Sequence, residues 1–222
     1  MDLFLSKTMS EIVDQIIKET RTLFPHFRSA SRSARIVAKY PHICTKEHLY
    51  AAFEDNISRC DAEIETLLLN NILISIPATI SNSDIEILIP QDTFKSTYGN
   101  ELTSDEMSYI LNKNGEAPST LVEKGFLTIA ETLSLPHLGA LLRILHKAIN
   151  WVLGQIKKRV NSYKSLASLW MKPMKKDTPP LCIFKFRGIG IEWVLHFMIG
   201  FGLIEQLYTP VGVIYKSTGK KI

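Results

Sequence analysis

Residues 132–176 read TLSLPHLGALLRILHKAINWVLGQIKKRVNSYKSLASLWMKPMKK, a stretch with nine Lys or Arg and not one Asp or Glu. Leu138, Leu141, Leu142, Leu145, Ile149, Val152, Leu153, Ile156 and Val160 recur there at the spacing of one buried helical face. Arg143, Lys147 and Lys158 project from the opposite side of such a helix, with Lys157 at its edge. A solvated helical face ordinarily mixes signs, because acid–base pairs four residues apart support the helix. This stretch forgoes those pairs, and clustered cations of this kind neutralise phosphates. The spacing predicts one long helix that buries one side and offers a positive stripe on the other.

The charge of the whole chain divides in the same way. Residues 1–131 hold 12 Lys and Arg against 19 Asp and Glu, a net of −7, whereas residues 132–222 hold 14 against 3, a net of +11. A basic half joined to an acidic half points to nucleic acid or an anionic membrane for the former and to protein contacts for the latter. Cys44, Cys60 and Cys182 form no CxxC pair, which fits a reducing compartment and speaks against a disulfide framework or zinc module. The start, MDLFLSKTMSE, lacks the n-region and apolar run of a signal peptide. The longest apolar run, at 188–204, contains Glu192 and His196 and reads as a buried helix feeding a strand rather than a membrane span.

In chain order, residues 8–23 are helical by period and end at Phe24 and Pro25. Residues 20–46 form a second acid-free stretch with Arg21, Arg28, Arg32, Arg35 and Lys39. It is a linker, an import patch or a phosphate-contacting arm. An extended piece at Ile43 and Cys44 follows, then a helix capped by Thr45 and running to Phe53, then a helix from Arg59 to Asn70 capped by Ser58. ILISIPA and residues 85–89 form two strands around a turn at 81–84. Helix, helix, strand, turn, strand is the order of a winged helix.

The same order recurs twice. Residues 91–98, 103–112 and 118–124 read as helices, Gly125 as a terminator, and FLTIA with TLSL as wing strands. The long basic helix opens the third copy. A helix from Ser162 or Ser165 to Trp170, a loop MKPMKKDTPP, a strand CIFKF, a helix over 189–199 and wing strands GLIEQLY and GVIYKS complete it. Each copy has a helix end feeding a strand, in NNILISI, EKGFLTI and IGFGLIEQL. The expected fold is α+β, mainly helical, with three tandem winged-helix domains. Their bounds are 1–90 (N-terminal helix, basic linker and first unit), 91–136, and 137–222 with the basic face.

No catalytic constellation is found. There is no phosphate-binding G-x-x-x-x-G-K-[ST], and Gly188 and Gly190 lack the third glycine of a dinucleotide fingerprint. The H-R-D, D-F-G and V-A-I-K elements of a protein kinase are all missing. His42, His48, His137, His146 and His196 show no metal-ligand spacing; His146 and His196 read as partly buried helix residues. No cofactor is expected. Trp151, Trp170 and Trp193 read as core or interface anchors, Trp151 being the one beside the basic stripe. The last helix, IGIEWVLHFMI, carries no Arg, Asn or Gln for base edges, so binding is expected to be to the backbone and independent of sequence. The candidate DNA-binding residues are Arg143, Lys147, Lys157, Lys158, Arg159, Lys164, Lys172, Lys175, Lys176, Lys185 and Arg187.

LVEKGFLTI, LSLPHLGALLRILHKAINWVLGQIKKR and FKFRGIGIEWVLHFMIGFGLIEQLYTPVGVIYKS resemble the serine/threonine-protein kinase 19 family, also described as a winged-helix repair factor. The resemblance covers residues 121–217, and more loosely 45–98. It implies three winged-helix domains, double-stranded DNA binding, a nuclear location and a scaffold role in transcription-coupled nucleotide excision repair. The implied partners are the stalled RNA polymerase II assembly and the helicase-bearing general transcription factor. Basic positions of the family's DNA face fall on Arg143, Lys147, Lys157, Lys158 and Lys172, while Pro173 stands where the family commonly has another cation. The alternatives are an atypical nuclear serine/threonine protein kinase, against which the missing motifs speak, and a protein-interaction winged-helix module.

Overall fold

The structure, a computed structural model, describes residues 43–53, 57–113, 115–173, 180, 185–187 and 189–222. The helix expected over 8–23 and the arginine-rich segment lie outside the described residues, as does most of the loop after Met171. Thr45 ends the short strand β1 (Cys44–Thr45) in extended backbone and caps α1 (Lys46–Ala52). His48 stands where a capping box places Glu or Gln, its Nδ1 accepting the Thr45 N–H at 3.1 Å. The helix α2 (Ile57–Leu69) starts before Ser58, which lies inside it rather than capping it. Asn71, at φ 55°, turns the chain into β2 (Leu73–Ile80). A two-residue turn led by Ser81 (φ 56°) returns it as β3 (Ser83–Pro90).

β3 is the centre of a sheet ordered β1-β3-β2, antiparallel throughout, with Ile76 opposite Ile87 and Cys44 opposite Leu88. Pro77 sits exposed on the edge strand β2, where a missing N–H breaks no ladder. Strand alternation divides β3 between two cores. Leu88 packs with Cys44, Leu49, Cys60, Ile64 and Leu73 beneath α1 and α2. Ile85, Ile87 and Ile89 join the main core on the other face. That main core runs without a break from Ile43 to Tyr215, so the three stretches read as repeats share one interior.

The middle of the chain supplies α3 (Gln91–Tyr98), α4 (Ser104–Asn112) and α5 (Ser119–Lys124). Gly125 (φ 81°) ends α5 as a left-handed terminator. Phe126 packs edge-on against Phe94 and Tyr98 at 6.1 and 5.1 Å, and Phe94 and Tyr98 tilt against each other at 5.0 Å. The wing strands expected from FLTIA and TLSL shrink to one bridge, Leu127 to Leu133, flanked by Thr128 N–H to Thr132 O (2.9 Å) and Ser134 N–H to Phe126 O (2.8 Å). Phe126, Leu127 and Leu135 turn inward while Ile129 is 96% exposed, so the ribbon has too few anchored side chains to extend.

Glu106 closes the α4 capping box, accepting from Thr103 N–H at 2.8 Å. It also accepts from the Thr120 hydroxyl at 2.5 Å and from Lys124 Nζ at 2.6 Å, tying α4 to α5. Lys124 and then Thr120 hold its carboxyl down at about 2. This bond network supports the fold fully above the ordinary carboxylate range and is lost as pH falls from about 4.5 towards 2. Glu106→Ala is expected to cost about 2 kcal/mol at neutral pH, read by urea denaturation. An unchanged midpoint would remove Glu106 from the fold's supports.

The third stretch gives α6 (Leu138–Lys157), α7 (Tyr163–Met171), α8 (Ile191–Gly200) and the hairpin β4 (Ile204–Thr209) with β5 (Gly212–Ser217). The helical period had suggested α6 through Val160, but it stops at Lys157. Arg159 adopts φ 64° and donates to Ile156 O, while Val160 N–H donates to Gln155 O, the two bonds of a Schellman cap. Val160 still packs on the core, from outside the helix. The strand expected at CIFKF is replaced at Lys185 and Phe186 by a helical turn. Ile189 N–H donates to Phe186 O, and the Phe186 ring stacks on Trp170 at 4.3 Å and 13°. That stack places the segment over α7 instead of along a sheet edge.

Candidate nucleic-acid interface

α6 buries Leu138, Leu141, Leu145, Ala148, Ile149 and Val152 and turns Arg143 and Lys147 outward. Arg143 Nε donates to the Gly139 carbonyl one turn earlier at 3.2 Å, which fixes the guanidinium along the helix. Lys157, Lys158 and Arg159 follow as three exposed cations at the helix end. There the negative end of the helix dipole also favours them, so their presence has a structural reason besides binding. Lys164 has no such reason. It lies in the first turn of α7, where a cation is disfavoured, and it is exposed. Lys172 is the exposed C-cap of α7, Lys185 lies exposed with Nζ 5.6 Å from its neighbour Phe186's ring centre, and Arg187 is half-buried at φ 56°. Lys175 and Lys176 lie outside the described residues.

Ion pairing among the described residues involves Lys46, Arg59 and Lys124 and none of these cations, nor Lys95, Lys113, Lys216, Lys220 or Lys221. The ion pairs among the described residues are Lys46–Asp61, Lys46–Glu86, Arg59–Glu63 and Lys124–Glu106, all before α6. Among the described residues, no carboxylate lies within ion-pair distance of Arg143, Lys147, Lys157, Lys158, Arg159, Lys164 or Lys172. Glu192, in the first turn of α8, accepts a short hydrogen bond from the Tyr163 hydroxyl. Burial, and then Glu192, push the Tyr163 phenol well above its usual range.

The end of α6 is tied to the β4–β5 hairpin. Tyr215 N–H donates to Asn161 O at 2.8 Å, and Ser162 bridges to Ile214. Lys157–Arg159 therefore stand on a braced corner rather than on a frayed helix end. On the hairpin itself Leu207, Tyr208 and Val211 are 42%, 79% and 93% exposed.

α8, expected from the sequence to be the third helix of the last unit, is largely buried. Ile191, Trp193, Val194, Leu195, Phe197 and Met198 are buried, and the helix packs directly on α1. His48 Nε2 and Trp193 O lie 2.9 Å apart, with the rings 4.5 Å between centres, and Trp193 Nε1 donates to Ile43 O at 3.4 Å. The apolar composition of this helix, read above as unsuited to bases, reflects burial against a segment some 145 residues earlier in the chain.

One histidine differs from expectation, and Trp151 proves to be a core anchor. Trp151 turns inward, edge-on to Trp170 at 5.2 Å and Phe186 at 5.9 Å, and belongs to the core rather than to the charged face. His196 is exposed, not partly buried, because the buried side of α8 passes through Val194, Leu195, Phe197 and Met198. His146 is half-buried as expected, with Nδ1 2.7 Å from the Ser81 hydroxyl. That contact seats the β2–β3 turn against α6 and leaves a cavity of ≈ 450 Å³ whose lining includes Arg143 and Lys147. Sequence reasoning did not find this cavity, since its two walls lie 65 residues apart. Among the described residues no helix is long and apolar enough to cross a membrane. No protein-family model matches the chain, and no curated protein matches it.

Proposed function

We propose that this protein is a fusion of three winged-helix units that binds double-stranded DNA through its phosphate backbone and scaffolds a nuclear repair assembly. The carrying observation is the set of exposed cations on α6, its C-terminal corner and α7 that have no carboxylate partner among the described residues. Phosphates supply the missing counter-charge. The burial of α8 supports reading by backbone alone, since its inward-turned apolar side chains offer nothing to base edges. Support for the winged-helix reading comes from the first sheet, ordered β1-β3-β2 with α1 and α2 between β1 and β2, and from the β4–β5 wing after α8. The role in transcription-coupled nucleotide excision repair, with the stalled RNA polymerase II assembly and the helicase-bearing general transcription factor as partners, rests on the resemblance of residues 121–217 set out above. The acidic N-terminal half is the surface for those protein contacts.

Fluorescence anisotropy on several unrelated duplexes at graded salt tests this reading. With about four to six phosphates engaged, log affinity falls against log salt with a slope of about −4 to −5 and is the same for all sequences. Lys147→Glu with Lys158→Glu weakens every duplex alike and leaves the melting temperature nearly unchanged, because both side chains are exposed. A salt-independent affinity, or a marked preference for one sequence, rules the backbone mechanism out.

A further inference from the structure

The cavity between the β2–β3 turn and α6 is mixed in chemistry. Ile80 and Leu142 give it an aliphatic floor, and Gly139 leaves an opening at the helix start. Arg143 and Lys147, one turn apart on α6, stand on its rim with Asn150 beyond them. The opposing wall, Thr79 and Ser81, is neutral; Ser81 is held to His146 at 2.7 Å, and the Thr79 hydroxyl donates to Asp84 at 3.1 Å. Both walls are therefore fixed by hydrogen bonds, and the volume of ≈ 450 Å³ admits a large side chain.

We propose that this cavity is a docking site for an acidic peptide segment of a protein partner, with one bulky apolar side chain seated on Ile80 and Leu142 and a flanking carboxylate on Arg143 and Lys147. Charge complementarity selects this occupant. The two rim cations have no carboxylate of their own among the described residues, and a carboxylate beside an apolar anchor satisfies rim and floor together. A phosphodiester backbone satisfies the rim but leaves the aliphatic floor uncovered. A nucleobase finds only the His146 imidazole in the lining, a ring half-buried and held to Ser81, since Trp151 is turned into the core. The site shares Arg143 and Lys147 with the DNA face, so peptide and duplex exclude one another there. It does not require that DNA binds.

Gly139 allows a clean test. A Cβ at this position meets nothing within 4 Å, so Gly139→Leu starts a bulky side chain in open space at a residue that lines the cavity. The probe is a fluorescein-labelled peptide with a leucine–tryptophan pair between glutamates, and its control carries serines in place of that pair. The native protein is expected to bind the probe saturably and at least about tenfold more tightly than the control, the worth of one buried large apolar side chain. Gly139→Leu is expected to lose about tenfold for the probe while holding its affinity for a short duplex within about twofold. Arg143→Gln weakens both ligands. Equal binding of probe and control, or an unchanged probe affinity in Gly139→Leu, overturns the docking site. A variant that loses duplex rather than probe reassigns the cavity to DNA and overturns it also. Probe binding that follows these expectations in a protein with no duplex affinity sustains the docking site and sinks the DNA reading instead.

Discussion

Gly200→Ala is expected to destabilise the protein by about 3 kcal/mol or more, near the upper end of overpacking effects. A Cβ at Gly200 stands 1.7 Å from the Glu47 carbonyl oxygen, 2.6 Å from its carbon and 2.9 Å from Ala51 N. All three are backbone atoms of α1, so no side-chain rotation relieves the clash. One of the two helices has to move. Any such movement disturbs the His48–Trp193 contact and the Phe197 and Met198 packing beside it. For a chain of this size the loss corresponds to a melting temperature about 6–12 °C lower. Gly139→Ala is the internal control, because its Cβ meets nothing and an alanine favours a helix, by up to about 1 kcal/mol. Equal melting temperatures for Gly200→Ala and the native protein would exclude the close approach of α1 and α8.

Acidification from pH 7 to 5 is expected to destabilise the protein through His48, and His48→Gln is expected to flatten that dependence. His48 is buried, and burial first, then the nearby His196, push its pKa down to about 3. Nδ1 accepts from Thr45 N–H, which leaves the ring proton on Nε2 to be donated to Trp193 O. A second proton has no place there. The unfolded chain takes up a proton below about 6.5 while the folded chain does not, so stability falls as pH drops through the window from about 6.5 to 3. Between pH 6.5 and 5 the loss reaches about 2 kcal/mol. Glu47, also buried and with its pKa raised chiefly by burial, acts with the opposite sign, because its uptake of a proton favours the fold. Glu106 contributes only below about 4.5, outside this range. Glutamine suits the third position of a capping box and does not titrate. His48→Gln is thus expected to be somewhat less stable at pH 7 yet to lose at least about 1 kcal/mol less on going to pH 5. Urea midpoints at the two pH values measure this, and equal losses in both proteins would place the acid sensitivity elsewhere.

What the sequence determined by itself is what acts over a few residues. Thr45 and Thr103 start helices, Gly125 and Asn71 end them, and Ser81 turns a hairpin because caps and turns are satisfied by the nearest backbone groups. The buried side of α6 and the outward Arg143 and Lys147 follow from the helical period in the same way. The lack of acids from 132 to 176 already showed that any counter-charge for these cations must come from another element or another molecule. Only the tertiary structure decided which surfaces remain free. Trp151 and Trp193 are closed by Phe186 and His48, Lys185 and Phe186 leave the expected strand to lie over Trp170, and α8 is covered by α1. The cavity at Gly139 exists because Ser81 reaches His146 across 65 residues. Such contacts join segments whose spacing along the chain has no period, and packing complementarity between distant faces leaves no local mark in the residues that supply it.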